Sequence, residues 1–170
     1  MIQERVVSAI MVDVFDFPHI PYWFSIRQAI GIFRATMPSD EKCFSPMGIL
    51  VFDEKYNLLG TLNLKSILRG MEPTFLKPPS RAQVLDEDAA LLSSLWDADK
   101  SKESAERPVS EIMVPAKFFV GPDDPVTKAA YVMLRNDLTL LPVLDGKRKL
   151  VGMVRIVEIF EELTGDILKD

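Results

Sequence analysis

VSEIMVPAKFFVGPDDPVTKAAYVMLRNDLTLLPVLDGKRKLVGMVRIVEIFEEL, at Val109–Leu163, is the stretch that decides the fold. Its hydrophobic pattern predicts a short strand, a helix, a two-strand hairpin and a closing helix. The beginning of the chain repeats this order. VSAIMV at Val7–Val12 differs from the start of the stretch at one position, and GTLNLKSIL at Gly60–Leu68 aligns with GMVRIVEIF at Gly152–Phe160. Two copies of one unit usually pack together around a pseudo-two-fold axis.

The repeat predicts an α/β (α+β) fold of two β-α-β-β-α units. We place the first repeat at residues 1–71, a linker at 72–108 and the second repeat at 109–170. The linker should be polar and exposed at its end and hold a helix at 82–96. That helix either packs on its own chain or contacts a partner subunit, and the sequence leaves both readings open.

Apolar residues at helical spacing predict which helix faces are buried. In the closing helices we expect one sheet-facing stripe in each copy, and Asp124 is expected to cap the first helix of the second copy, with Pro125 at its first position. The predicted inner positions are Ile26, Ala29, Ile30 and Phe33; Leu64, Ile67, Leu68 and Met71; Val126, Ala129, Ala130, Met133 and Leu134; and Ile156, Ile159, Phe160 and Leu163.

Composition excludes several classes of protein. With 170 residues, of which 48% are hydrophobic and 26% charged, the chain can form a globular core without a disulfide or metal. A net charge of −5 without a basic cluster argues against nucleic acid and anionic membranes as partners. One cysteine, no membrane-length apolar run and no signal-peptide pattern at Met1–Ile10 indicate a cytoplasmic protein.

Catalytic and metal signals are weak, so we do not expect an enzyme or a metal site. The lone histidine, His19, lies between prolines and is more often structural in such a setting. Cys43 lies in TMPSDEKC, an insertion at Thr36–Cys43 that the second copy lacks, and should be an exposed thiol. The sequence has no phosphate-binding loop, dinucleotide fingerprint or zinc-ligand spacing.

These residues resemble the cystathionine β-synthase (CBS) domain, and the two copies resemble a tandem CBS pair, or Bateman module. The motifs are V-S-x-I-M-V, D-x-P-V-x-x-A-A, L-P-V-L-D and L-V-G-M-V, strong in the second copy and moderate in the first. The resemblance implies a disc in which each copy contributes a three-stranded mixed sheet and two helices. It also implies clefts that hold AMP, ADP, ATP or S-adenosylmethionine, a homodimer formed through helices, and a sensing role toward a partner protein.

The same resemblance implies candidate ligand-binding residues. In the family, Gly-x-x-Thr/Ser-x-x-Asp leads from the last strand into the last helix, where the hydroxyl meets phosphate and the aspartate meets ribose. In this chain Asn63 and Ser66 occupy the two positions in the first copy, so the ribose-binding aspartate is lost. Arg155 and Glu158 occupy them in the second. By resemblance, the adenine position would be lined by Met11, Val12 and Asp13 in one copy and by Val114, Pro115 and Ala116 in the other.

Arg155 has two readings. Its guanidinium matches phosphate oxygens and could bind a ligand directly. It could instead pair with Glu158 or Glu162 and fill the cleft. The sequence therefore supports two functions, a regulatory module that senses an adenine nucleotide and a structural docking module with a closed cleft.

Overall fold

The structure is a computed structural model that describes residues 4–36, 48–71 and 98–169. The predicted helix at 82–96 and most of the insertion, including Cys43, lie outside these residues. Within them the helices are α1 (Ile26–Thr36), α2 (Leu64–Met71), α3 (Ala98–Ser104), α4 (Val126–Arg135) and α5 (Ile156–Thr164), and the strands are β1 (His19–Pro21), β2 (Ile49–Phe52), β3 (Leu58–Leu62), β4 (Val114–Pro115), β5 (Leu140–Leu144) and β6 (Leu150–Arg155).

The two copies form equivalent sheets. In the first, β1 pairs in parallel with β2, β2 is antiparallel to β3, and β3 is antiparallel to β4. In the second, β5 and β6 are antiparallel, and single bridges extend the pair on both sides, from Val120 to Val143 and from Val12 to Met153. The mixed α/β fold of two repeated units is therefore confirmed.

The outer strand of each sheet comes from the other copy, which the repeat alone did not predict. Val114 belongs to the second copy but pairs with Thr61 of the first. Val12 belongs to the first copy but exchanges two backbone hydrogen bonds of 2.8 and 2.9 Å with Met153 of the second. The V-S-x-I-M-V segments are thus exchanged arms, a name we keep for 7–12 and 109–114.

Each exchanged arm also completes the core of the opposite copy. Val109 is fully buried in the core around α1 and α2, and Val7 is fully buried in the core around α4 and α5. The residues preceding the arms accept hydrogen bonds from the first helical N–H groups, from Ile26 to the Arg107 carbonyl and from Val126 to the Arg5 carbonyl, each at 2.9 Å. These contacts satisfy N–H groups that a helix start leaves without intrahelical partners.

Two glycines make room for the arms. A Cβ on Gly60 would lie 2.6 Å from the backbone oxygen of Val114, and one on Gly152 would lie 2.7 Å from the sulfur of Met11. Because these distances are below van der Waals contact, larger residues would push the arms away.

Side chains on opposite faces of the strands pack against different copies and so join the two copies. On β2, Ile49 and Val51 face the helices of their own copy, whereas Leu50 and Phe52 enter a shared cluster with Leu140 of the other copy. Neighbouring strand residues point to opposite faces, so a strand buried on both sides is apolar throughout. The shared cluster consists of Val14, Phe17, Leu50, Phe52, Leu140 and Met153.

Several local predictions were wrong. Ile67 and Ile159 are buried as expected. Five other predicted inner residues are exposed, because each helix lays a narrower face on its sheet than the pattern indicated: Leu64, Leu68, Leu134, Phe160 and Leu163. Asp124 does not cap α4. Its Oδ2 accepts the N–H of Gly121 at 2.7 Å and closes the preceding turn, and Pro125 is the N-cap.

The end of the predicted linker contains a helix, α3, that the sequence pattern did not predict. Ala105, directly after α3, is buried, and its carbonyl accepts the N–H of Arg27 at 2.8 Å. This end of the linker is therefore fixed to the first copy.

Candidate ligand-binding cleft

The start of α2 is held by a reciprocal pair of polar residues. The Asn63 side-chain oxygen accepts the N–H of Ser66 at 2.8 Å, and the Ser66 hydroxyl oxygen accepts the N–H of Asn63 at 2.9 Å. The hydroxyl also donates to the Asn63 carbonyl at 2.9 Å. This is a capping box, and it satisfies N–H groups that would otherwise lack partners. Ser66 is consequently buried and engaged by its own helix.

A cavity of about 310 Å³ opens at this helix start, between the copies. Asn63 spans one side by donating from its amide nitrogen to the Thr139 hydroxyl at 3.2 Å. The arm of the second copy forms another wall. The lining residues are Asn63, Lys65, Ser66, Arg69, Ile112, Met113, Val114, Pro115, Asp137 and Thr139.

Two cations of α2 line this cleft. Lys65 and Arg69 are four residues apart and therefore lie on the same side of the helix. Lys65 lies 3.7 Å from the carboxylate of Asp137, and both side chains are largely exposed. An exposed pair of this kind contributes about 0–1 kcal/mol, so an anionic ligand can replace it at little cost. Arg69 forms no salt bridge with any described residue.

The start of α5 is built differently. The Arg155 Nε donates to both carboxylate oxygens of Glu158 at 2.8 and 3.0 Å, and its Nη2 bonds the same carboxylate. The two side chains are only 14% and 17% exposed. Glu162, the other predicted partner, instead pairs with Arg5 at 2.9 Å. Arg155 and Glu158 therefore form a closed pair at the position where the first copy has Asn63 and Ser66.

The structure groups only some of the predicted site residues. Val114 and Pro115 meet Asn63 and Ser66 around the cleft, whereas Ala116 lines a separate cavity.

The remaining predicted residues belong to the first arm. Met11 and Val12 lie against β6. The Asp13 carboxylate turns back to accept the N–H of Phe15 at 2.9 Å. The participation of all these residues in ligand binding stays a prediction.

Sequence reasoning missed Lys65, Arg69, Asp137 and Thr139. The two cations stand at i and i+4 beside the motif, a spacing that could have been noticed. Asp137 and Thr139 come from the other copy, and only the packing of the copies brings them to the cleft.

His19 has a structural setting. Its Nε2 lies 2.7 Å from the carbonyl oxygen of Val14, which can only accept, so this nitrogen carries the proton. Its Nδ1 bonds the Tyr56 hydroxyl, and its ring packs on Phe52 with centroids 4.9 Å apart. Among the described residues there is no group of histidine, cysteine or acidic side chains suited to a metal ion. None of the described helices is both long and apolar enough to cross a bilayer.

Comparison with known proteins identifies the repeat unit. Residues 109–165 match the CBS domain family. A curated relative, homoserine O-acetyltransferase of Methanohalobium evestigatum, is 33% identical over 87 residues. This match covers 50% of the chain but only 18% of the relative's length.

Solved structures extend the likeness to both copies. A CBS domain-containing protein from Bacillus anthracis has 15% identity and a TM-score of 0.65, with 96% of this chain and 95% of that chain covered. CBSX2 in complex with AMP has 18% identity and a TM-score of 0.60, with 94% and 96% covered. The cytosolic domain of the Mg²⁺ channel MgtE in complex with ATP has 21% identity and a TM-score of 0.57, with 92% and 48% covered. Residues 109–165 thus match the CBS domain, and the described part of the chain has the fold of the CBS-pair structures.

Proposed function

We propose that this protein is a regulatory module that binds an adenine nucleotide in the cleft at the start of α2 and signals to a partner. The observation that carries the proposal is the inter-copy cavity of about 310 Å³ with Lys65 and Arg69 on its wall. Its size suits a small ligand, and its cations suit phosphate groups. The AMP complex of CBSX2 and the ATP complex of MgtE support the ligand class.

The capping box determines how a nucleotide would be held. Ser66 stands where the family places the ribose-binding aspartate, and its hydroxyl is engaged by Asn63. Phosphate contacts to Lys65 and Arg69 must then supply most of the affinity. We therefore expect affinity to rise from AMP to ADP to ATP, with S-adenosylmethionine, which has no phosphate, binding most weakly.

Titration calorimetry and thermal unfolding with these four ligands test the proposal. A ligand at 100 times its dissociation constant stabilises the fold by about 2.7 kcal/mol, which raises the melting temperature by roughly 5–10 °C. Lys65→Ala should weaken ATP binding about tenfold, equivalent to ~1.4 kcal/mol. Lys102→Ala removes the same charge from α3, outside the cleft, and should leave the affinity unchanged. Equal affinity in both variants, or no binding by any nucleotide, would overturn the proposal.

Glu158 is a separate candidate for the second cleft. If a nucleotide displaces the pair with Arg155, Glu158→Ala should change the stoichiometry or the affinity measured by calorimetry. Unchanged binding in this variant would remove Glu158 and its partner from the site.

Regulation rather than catalysis fits the described chemistry. His19 is engaged in structural bonds, and CBS pairs supply ligand-dependent control in the family that the sequence resembles. We propose a cytoplasmic location with this role, supported by a sequence with a single cysteine and hence no intramolecular disulfide.

A docking function is favoured by apolar side chains on the outer faces of α2 and α5. Leu64 and Leu68 on α2 and Phe160 and Leu163 on α5 are exposed, and Leu68 and Phe160 occupy the same position in the repeat. Patches of this kind mark interaction surfaces. We propose that they form a homodimer interface and that nucleotide binding alters this dimer or a docked partner protein.

Sedimentation of wild type, Leu68→Glu and Phe160→Glu tests the dimer. A charge at a buried interface should produce monomers, and Lys102→Ala again provides the control. A wild-type monomer at tens of micromolar would reject the dimer and leave nucleotide binding to be judged by calorimetry alone.

A further inference from the structure

We propose a second ligand site, distinct from the nucleotide cleft, that binds a small aromatic anion between the two hairpin tips. A cavity of about 350 Å³ lies there. This cavity is lined by Leu58, at the start of β3, whereas the nucleotide cleft is lined by Asn63, directly after the end of β3. A strand rises about 3.3 Å per residue, so Leu58 and Asn63 lie roughly 16 Å apart, although Pro115 of the cleft and Ala116 of this cavity are neighbours in the chain. Its lining residues are Phe52, Tyr56, Asn57, Leu58, Ala116, Phe118, Phe119, Pro142, Leu144, Arg148, Lys149 and Leu150.

The first hairpin tip presents a fixed aromatic ring. The Tyr56 ring stacks on Phe52 with centroids 4.4 Å apart and an interplanar angle of 14°. Its hydroxyl is bonded to His19, so the ring is held at both its face and its edge. A fixed ring offers a stacking surface without a large loss of side-chain entropy on binding.

The second copy adds two aromatic rings. Phe118 and Phe119 are 42% and 50% exposed although both line the cavity. Neighbouring phenylalanines left open to solvent at a cavity gain burial when a ligand covers them. Four aromatic side chains from the two copies, Phe52 included, line the cavity and therefore favour a planar ligand.

The second hairpin tip presents cations instead of a ring. The Asp145 carboxylate accepts the N–H groups of Lys147 and Lys149 at 2.8 and 2.9 Å and fixes this turn. Arg148 and Lys149 line the cavity and form no salt bridge with any described residue. No acidic side chain is among the described lining residues, although the chain as a whole carries a net charge of −5. The cavity therefore favours anions, although the net charge of the chain is negative.

Repeat symmetry explains why a ring and a cation face one space. Tyr56 and Arg148 occupy the same turn position, and both have left-handed backbone angles, with φ of 63° and 60°. Asp53 accepts the N–H groups of Lys55 and Asn57 as Asp145 does in its own turn. Two turns of one design thus deliver different chemistry, an aromatic face from one and positive charge from the other. The ligand class that uses both is a flat ring that carries a carboxylate or a phosphate.

Titration calorimetry with indole-3-acetate and AMP, and with neutral indole and inorganic phosphate as partial probes, tests this site. We expect an intact ring-anion probe to bind, and each partial probe to bind at least tenfold more weakly. Arg148→Asn, which keeps a residue tolerant of the left-handed backbone, and Phe119→Ala should each weaken binding about tenfold. Lys65→Ala, in the nucleotide cleft, should leave the binding of indole-3-acetate unchanged, and thermal unfolding should show that all variants are folded.

The outcomes separate this site from the nucleotide cleft. AMP affinity that falls in Arg148→Asn but not in Lys65→Ala would show that the AMP phosphate binds at the hairpin tips. That result would contradict the proposed nucleotide cleft at α2. Indole-3-acetate binding that falls only in Arg148→Asn and Phe119→Ala would support a carboxylate at the tips and leave the cleft intact. Failure of both probes to respond to Arg148→Asn and Phe119→Ala, or failure of both to bind, would overturn the second site.

Discussion

The starts of α2 and α5 occupy equivalent places in the repeat but stabilise themselves in opposite ways. The first uses two neutral side chains, Asn63 and Ser66, that bond each other's backbone. The second uses a charged pair, Arg155 and Glu158, that fills its own helix start. The repeat therefore preserves the backbone frame while the chemistry of the two clefts diverges. Lys65 and Arg69 line an open cavity beside the first helix start, whereas Arg155 at the second is paired with Glu158.

The largest predicted effect compares the two glycines under the exchanged arms. Gly60→Ala should lower the free energy of unfolding by about 2–3 kcal/mol, because the new methyl group would lie 2.6 Å from the backbone oxygen of Val114. Gly152→Ala should cost less, about 1 kcal/mol, because its nearest contact is the flexible side chain of Met11. Urea unfolding of both variants measures the difference. Equal losses would show that the two arms are equally adaptable.

An intermediate effect is expected at the helix starts. Glu158→Ala should cost about 1–2 kcal/mol, since it removes the carboxylate that holds the largely buried Arg155 guanidinium. Replacing both residues, as Arg155→Met with Glu158→Leu, should restore nearly wild-type stability, because apolar groups need no charged partner. Asn63→Ala, at the equivalent position, should cost about 1 kcal/mol through the lost cap.

Thermal and urea unfolding of this series distinguish a charge effect from a simple packing loss. A double variant less stable than Glu158→Ala would contradict the charge explanation. Loss of stability in Asn63→Ala without any change in Glu158→Ala would show that only the first helix start depends on its side chains.

The smallest effect concerns the turn carboxylates of the two hairpins. The side-chain amide of Asn57, followed by its backbone N–H, lowers the pKa of Asp53, and the backbone N–H of Lys149 lowers the pKa of Asp145. A lowered folded-state pKa stabilises the fold above the unfolded value of 3.8, and this stabilisation is lost as pH falls through the folded value. The variants Asp53→Ala and Asp145→Ala should therefore have a lower free energy of unfolding than wild type at pH 7. The difference should shrink below about pH 4.

Urea unfolding at pH 7, 5 and 3 checks this dependence for both turns. The two turns share one set of backbone bonds, but Asp53 also accepts a side-chain bond from Asn57 at 3.0 Å, so the pH dependence should be larger at Asp53 than at Asp145. A stability difference that stays constant with pH would show that the carboxylate charge contributes nothing.

Local sequence patterns predicted the elements that depend on nearby residues. The prediction of the buried face of α1 is correct for Ile26, Ala29 and Phe33, because these residues follow the spacing of one helix. The predicted hairpins were also correct, and their left-handed turn residues are Tyr56 and Arg148. These features depend on contacts within a few residues, which a single sequence shows directly.

Features that depend on packing between the copies were beyond the sequence. The pairing of the arms joins Val12 to Met153 and Val114 to Thr61, and short strands carry no signal for a distant partner. The missed cleft residues Asp137 and Thr139 have the same origin. The exposed Leu68 and Phe160 show the reverse case, in which an apolar pattern indicated burial that the fold does not provide.

The exchanged arms have a consequence for synthesis on the ribosome. The core of the first copy needs Val109, and its sheet needs Val114 and Pro115, which are made after the rest of that copy. A nascent chain that ends before these residues holds an open apolar surface, and contacts this distant in sequence form slowly. Fragments cut between the copies should therefore be aggregation-prone alone and regain structure only when mixed. Synthesis of both copies in one polypeptide keeps each incompletely folded copy close to the arm that completes it.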